Sequence, residues 1–422
     1  MRVLIDYRPA LRERSGSGEY THQLVRALLA SGLDAGRPHA LDLTLFSSSW
    51  KDRVIRTPDL AGAAIIDRRV PVRLLNFAWH RLGWPPAEVL AGGAYDVVHS
   101  AHPLLMPARG AAQVITIHDL NFLTHPERTR AEIRRDYPAL ARAHAHRADA
   151  VLVPSAYTAG EVERLLGVPR ERMALCPPGA PDWPPRRQAP KDGYVLFFST
   201  LEPRKNVGGL LDAYEQLLTG PAKAGHYRHA DGARAFQASD VARRLQPSDD
   251  VARRPPFEGA QGRQPSVPDL ILAGRATDDA RPWLDRISRP PLRGAVRHIG
   301  YVDANDRRAL YEGARLLVQP SFDEGFGMPV LEAMSLGVPV VAANRGSLPE
   351  VLGGAGLLVD PDQPADIAHA IAHLLDDDGL GAACAEKGIA RARAFRWDET
   401  ARRVYGSYLA AIERRARAPR RT

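Results

Sequence analysis

Short apolar runs bounded by turn residues recur along the whole chain, with helix-compatible sequence between them. In the first half the runs that read as strands are Val3–Asp6, Leu43–Phe46, Asp96–His99, Val114–His118, Ala150–Pro154 and Met173–Cys176. In the second half they are Tyr194–Ser199, Leu270–Gly274, Val296–Gly300, Leu316–Gln319, Pro339–Ala342 and Leu357–Asp360. Runs this short suit buried strands, while segments such as Glu19–Ala30 and Ala156–Leu166 carry the longer helical period. Strands alternating with helices at this spacing call for parallel sheets covered on both faces. Two series of about six strands therefore predict an α/β protein of two doubly wound, Rossmann-like domains, facing across a cleft that suits a small molecule.

The join between the series falls in the proline-rich stretch from Pro181 to Gly193. The expected organisation is a first domain over 1–183, a linker over 184–192 and a second domain over 193–395. Residues 220–268 break the pattern. They are rich in Gly, Pro, Arg, Asp and Ser and contain a near-repeat, Asp240–Arg244 and Asp250–Arg254. A loop of that length is unusual inside a compact domain, so a disordered surface insertion is expected. Near the C-terminus, Val404, Tyr405, Tyr408, Leu409 and Ile412 follow Trp397 at helical spacing. Residues 396–422 read as a helix packing back on the body, then a basic tail.

Length and composition narrow the function classes. The 422 residues include 45% apolar and 25% charged side chains, as in ordinary globular proteins. No apolar run approaches the ~18 residues of a membrane span. The chain enters a strand at Arg2, so no signal peptide is expected. The only cysteines, Cys176 and Cys384, have no metal or redox spacing. These features predict a cytoplasmic protein. The formal charge of +8 favours anionic partners. No nucleic-acid module accompanies it, so no nucleic acid is expected. The basic, aromatic segment Val72–Trp84 reads either as a core or domain-face helix or as one lying on a membrane surface. Peripheral contact with an anionic inner membrane face is the corresponding expectation. No metal site is expected: Asp360-Pro361-Asp362 has the spacing of an Asp-x-Asp pair but sits where turn chemistry explains it.

Two segments carry the chemistry. The first is Glu324-Gly325-Phe326-Gly327-Met328-Pro329-Val330-Leu331-Glu332, which follows the strand at Leu316. Its two carboxylates flank a strand-to-helix turn, where parallel sheets take ligands against a helix N-terminus. Placing Pro329 at the first helical position puts Glu332 in the first turn, leaning toward the loop. The plainer reading, an acid complementing the helix dipole, accounts for one carboxylate and neither glycine. The second is Ser199-Thr200-Leu201-Glu202-Pro203-Arg204-Lys205-Asn206. Asn206 is a suitable N-cap, and Arg204 and Lys205 just before it suit a diphosphate. Gly16-Ser17-Gly18 before the first helix is a weaker glycine loop, equally readable as a tight turn. His118, at a strand's carboxyl end, reads as cleft-facing or structural, with His99 and His102 behind it.

Taken together these motifs resemble the retaining family 4 glycosyltransferases of the GT-B fold. The resemblance extends over Gly300-Tyr301-Val302, Glu332-Ala333-Met334, Gly337–Ala342 and Leu357–Pro361. Through Thr200–Asn206 it is closest to a branch that includes many bacterial mannosyltransferases. It implies transfer of a hexose from a nucleotide diphosphate sugar to a saccharide or lipid-linked saccharide, with no cofactor or metal. Glu324 and the amides of Gly325, Phe326, Gly327 and Met328 would hold the donor sugar, Glu332 the ribose, and Tyr301 and Val302 the base. Arg204 and Lys205 would neutralise the diphosphate. His118 would contact the donor sugar, and Gly16 and Gly18 would allow close approach to phosphates or acceptor. Many relatives carry Gly-Arg where this chain has Ser199-Thr200, leaving Arg204 as the replacement cation. A nucleotide-sugar isomerase and a non-catalytic binding protein are the alternatives on the same fold. Glu324→Ala and Lys205→Ala are each expected to abolish transfer without disturbing folding.

Overall fold

Parallel strand pairing organises both halves of the chain. The computed structural model describes residues 1–11, 14, 16–31, 41–126, 131–220 and 267–417, and no side chains at 131–136. Most of the expected insertion, and the last residues of the basic tail, lie outside the described residues. The chain divides into two units, one of Met1–Gly179 with Phe395–Thr422, the other of Ala180–Ala394. The proline-rich join belongs to the second unit, where the Arg186 amide donates to the Leu336 carbonyl at 3.1 Å.

The first unit holds a seven-stranded sheet in the order β3-β2-β1-β4-β5-β6-β7. Its strands are β1 (Arg2–Asp6), β2 (Asp42–Ser48), β3 (Ala64–Arg68), β4 (Val97–Ser100), β5 (Ala112–Thr116), β6 (Ala150–Val153) and β7 (Met173–Leu175). Every pairing is parallel. The edge strand β3 is one more than the apolar runs indicated. Helix α1 (Ser17–Ala30) lays Tyr20, Leu24, Val25 and Leu28 on Val3, Ile5, Leu43 and Leu45. Helix α2 (Val72–Phe77) continues into a wider π-helical turn, Ala78–Leu82.

The second unit holds a six-stranded parallel sheet in the order β10-β9-β8-β11-β12-β13. Its strands are β8 (Tyr194–Phe198), β9 (Leu270–Ala273), β10 (Val296–Gly300), β11 (Ala314–Gln319), β12 (Val340–Ala343) and β13 (Leu357–Val359). Helix α3 (Val207–Thr219) buries Val207, Leu210, Leu211, Tyr214 and Leu218 against Val195, Phe197, Leu270 and Leu272. Helices α4 (Ala304–Glu312) and α5 (Met328–Ser335) flank β11 in sequence. The last helix, α6 (Trp397–Arg417), adds Ala401, Val404, Tyr408 and Ala411 to the core of the first unit.

Strand order reverses between β1 and β4 in one sheet and between β8 and β11 in the other. At such a switch point the connections leave to opposite faces and open a crevice at the carboxyl ends of the strands. Among the described residues no helix is long and apolar enough to cross a membrane.

Candidate functional site

The switch point of the second sheet brings the two chemistry-bearing segments together. After β8 the chain makes a tight turn, Pro203–Lys205, and Asn206 adopts a left-handed conformation at φ 56°. The Asn206 side chain accepts from the Gly209 amide at 3.2 Å, capping α3, and donates to the Pro361 carbonyl at 2.7 Å. This fixes Arg204 and Lys205 on the loop ahead of α3. The Phe322 amide donates to the Arg204 carbonyl at 2.9 Å, tying that loop to the one after β11.

Lys205 Nζ donates to both oxygens of Glu324, at 2.6 and 2.7 Å. Gln319 Nε2 and Ser321 Oγ each donate to Glu324 Oε1 at 2.9 Å. Arg204 Nη1 stands 3.6 Å from Glu324 Oε2, while its Nε donates to Glu202 at 2.6 Å. Lys205 and Glu324 are both buried. Burial pushes the Glu324 carboxyl up, but Lys205 and Arg204, with hydrogen bonds from Lys205 and Ser321, outweigh it and hold the group below its ordinary value. Glu324 is thus a fixed anion between two cations.

The turn into α5 differs from the expected one. Met328 takes the first helical position and Pro329 the second, so Glu332 is the fifth residue and lies beyond the first turn. The cause is Gly327, whose left-handed conformation at φ 96° serves as the N-cap. A Cβ there would come within 2.6 Å of Leu348 Cδ2, so no other residue fits without movement. Glycine caps without a side-chain acceptor.

Glu332 is held by α4 instead of by the helix dipole. Arg307 Nη1 donates to its Oε1 at 3.0 Å and Tyr311 Oη to its Oε2 at 2.8 Å. Residues 307 and 311 are four apart and share one face of α4. Tyr311 packs edge-on against Phe198 at the end of β8, with ring centroids 5.5 Å apart. Burial and the neighbouring Glu332 carboxylate raise the Tyr311 pKa well above the usual phenol range. Sequence reasoning did not single out Arg307, Tyr311, Gln319 or Ser321. The i, i+4 spacing of Arg307 and Tyr311 was the one available signal, and it does not reveal which neighbour they face. Tyr301 is half-buried, whereas Val302 is buried in the interior. The Asp360-Pro361-Asp362 turn is closed by the Asp362 amide donating to Asp360 Oδ1, and Arg345 binds both acids.

The remaining predicted residues belong to the first unit. Gly16 caps α1 at φ 50°, with open space where a Cβ would stand. Gly18 is different: a Cβ there would meet the Pro9 carbonyl oxygen at 2.4 Å. Its missing side chain serves packing of α1 on the turn Arg8–Ala10. His118 packs edge-on against Tyr20, with centroids 5.0 Å apart, and its buried Nε2 has no hydrogen-bond partner among the described residues. Burial lowers its pKa to about 4, so it is neutral at physiological pH. His99 is a core residue bonded to Tyr408 and Thr116, each at 2.8 Å. His102 stands 3.1 Å from Asp6 at the end of β1, and Arg8 grips the same carboxylate through two bonds of 2.8 Å.

Two parallel Rossmann-like sheets, one with paired acids and cations at its switch point, are the architecture of the GT-B fold. Residues 14–182 match the model described as Glycosyltransferase Family 4, and residues 260–377 match the one described as Glycosyl transferases group 1. Both models describe glycosyltransferases, one over each half of the chain. It is 28% identical to the O-antigen chain mannosyltransferase B of Escherichia coli, over 97% of this chain and 99% of the relative. Sucrose-phosphate synthase from Thermosynechococcus elongatus superposes with a TM-score of 0.68 at 18% identity, covering 97% of this chain and 98% of that one. Anabaena HepE in complex with UDP-glucose gives 0.62 at 17% identity, covering 96% and 98%. At those identities the likeness is one of fold.

Proposed function

We propose that this glycosyltransferase moves a hexose, with mannose favoured, from a nucleotide diphosphate sugar to a saccharide or lipid-linked saccharide, retaining the anomeric configuration. The observation that carries the reading is the buried Lys205–Glu324 pair, 2.6 Å apart, with Arg204 beside it and the glycine-capped start of α5 next in sequence. Charge develops on the diphosphate as it leaves. Fixed cations and backbone amides stabilise that charge without reorganising. Arg204, Lys205 and the amides from Gly325 to Met328 fill this role in the proposal, which assigns no part of it to a metal ion.

Glu324 accepts from hydroxyls of the donor sugar, and Glu332, oriented by Arg307 and Tyr311, accepts from the ribose. Tyr301 borders the base. In the transfer step the bond from the anomeric carbon to the diphosphate oxygen breaks, and its electron pair stays with that oxygen. The acceptor hydroxyl oxygen bonds the same carbon on the same face, and its proton passes to the departing diphosphate. Mannose is favoured by the near full-length likeness to an enzyme named for mannosyl transfer in O-antigen synthesis. Cell-surface polysaccharide or glycolipid synthesis is the corresponding setting.

The test is nucleotide release from a panel of nucleotide sugars, with and without mannose-containing acceptors. The proposal expects release that depends on acceptor and a product with the donor's anomeric configuration. Conversion of the donor without any acceptor, or an inverted product, contradicts it.

A further inference from the structure

Helix α2 and the π-helical turn after it meet the first unit through one face. Leu75 and Trp79, four residues apart, are buried with Leu4, Phe46 and Val98. The outer side is apolar as well: Leu74, Phe77, Leu82 and Trp84 are 63%, 60%, 66% and 63% exposed. The loop after β2 runs alongside. The Ser49 amide donates to the Arg68 carbonyl at 3.2 Å, and Ser48 Oγ donates to the Val70 carbonyl at 2.8 Å. That loop contributes Trp50 and Ile55, 71% and 75% exposed. From Arg68 to Trp84 the sequence holds Arg68, Arg69, Arg73 and Arg81 and no acidic residue. All four arginines are exposed.

Contiguous exposed apolar side chains mark an interaction surface. Side chains this exposed stand out from the surface instead of lining a groove. Apolar and tryptophan side chains interspersed with arginine match the two layers of a lipid interface, acyl boundary and headgroup phosphates. We propose that this face of the first unit docks on an anionic phospholipid bilayer. Leu74, Phe77, Leu82 and Trp84 enter the headgroup boundary, and Arg69 and Arg73 meet lipid phosphates. The inner side of the same element reaches the switch point of the first sheet. Asn76 Oδ1 accepts from Arg8 Nη1 at 2.9 Å, and the Arg8 guanidinium lies 4.8 Å over the Trp79 ring. Arg8 in turn holds Asp6 at the end of β1. Docking therefore places lipid next to the element that borders this unit's own crevice. It stands apart from the transfer chemistry, because it needs no donor.

Flotation of the full chain with vesicles tests it, using phosphatidylglycerol with phosphatidylethanolamine against phosphatidylcholine alone, in the absence of nucleotide. The expected result is salt-sensitive binding to the anionic vesicles. The combined Leu74→Ser, Phe77→Ser and Leu82→Ser variant should lose at least about tenfold in partitioning. Arg69→Gln and Arg73→Gln should each lose about fivefold, on anionic vesicles only. Unchanged melting temperatures confirm that these surface variants fold. No binding to anionic vesicles, equal binding to phosphatidylcholine, or wild-type binding by the triple serine variant overturns the proposal. Absent vesicle binding, with a concentration-dependent dimer that the triple variant abolishes, would assign the face to a second copy of the chain.

Discussion

The Lys205–Glu324 pair changes what a substitution at either position tests. Removing one partner of a buried ion pair strands the other charge, which costs about 3–5 kcal/mol. Glu324→Ala would leave the Lys205 ammonium buried beside Gln319 and Ser321, so the expectation that alanine variants leave folding intact does not hold for this geometry. Urea denaturation should show Glu324→Ala destabilised by that amount. Glu324→Gln should be destabilised less, because it keeps an acceptor and the same volume. Both should lose transfer; wild-type stability in Glu324→Ala would mean that the pair is open in solution. Tyr311→Phe removes one hydrogen bond to a carboxylate and no packing. With a loss of about 1.5 kcal/mol, the donor KM should rise about tenfold with kcat nearly unchanged. A fall in kcat at constant KM would place Glu332 in the chemical step instead of in donor binding. The acids and cations themselves were legible in the sequence because loop position, glycine spacing and charge are local properties. Arg307 and Tyr311 were not, because their role depends on which surface α4 turns toward Glu332, and that is settled by tertiary packing.

The loops that hold the site follow from the strand ends. The turn after β12 carries Gly346 at φ 61°, and a Cβ there would lie 2.8 Å from both the amide nitrogen and the carbonyl oxygen of Glu324. The next residue, Ser347, donates to that carbonyl from its amide at 3.0 Å and from its hydroxyl at 2.8 Å. Gly346→Ala therefore combines left-handed strain with a clash against the loop that positions Glu324. Thermal melting should show a loss of about 1–3 kcal/mol, with weaker donor binding; a neutral outcome in both would show that the loop yields freely. The apolar runs located every strand of the second sheet to within one or two residues. They missed β3, because Ile65 and Ile66 are its only large apolar residues and it lies half-exposed at the sheet edge, where two residues reveal no period. They also cut β2 short. Its last residues, Ser47 and Ser48, are buried and satisfied by Asp67 and the Val70 carbonyl, partners that no local pattern indicates.

At the scale of the molecule, the first unit carries an unusual set of suppressed histidines. Burial lowers His22, His118 and His144 to about 4 and His80 and His99 to about 3. Their ordinary value is 6.5. Between these values the unfolded chain binds protons that the folded unit does not, so stability falls as pH drops. Denaturation followed at about pH 7 and about pH 5 should show the first unit weakened at the lower pH. His99→Gln, which keeps a polar partner for Tyr408 and Thr116, should flatten the dependence; an equal or steeper slope would remove His99 from the explanation. The two parallel sheets were legible in the alternation of strand and helix, whereas the amphipathic spacing of α6 did not say which core takes Ala401, Val404, Tyr408 and Ala411. The central claim is that the second unit grips an activated sugar by its diphosphate through Lys205 and Arg204 and by its hydroxyls through Glu324. Its most direct test is the melting temperature of wild type, Lys205→Met and Glu324→Gln with GDP-mannose, GDP and GMP. The account predicts wild-type stabilisation in the order GDP-mannose, GDP, GMP, the diphosphate increment vanishing in Lys205→Met and the sugar increment in Glu324→Gln; increments that survive both substitutions unchanged would contradict it.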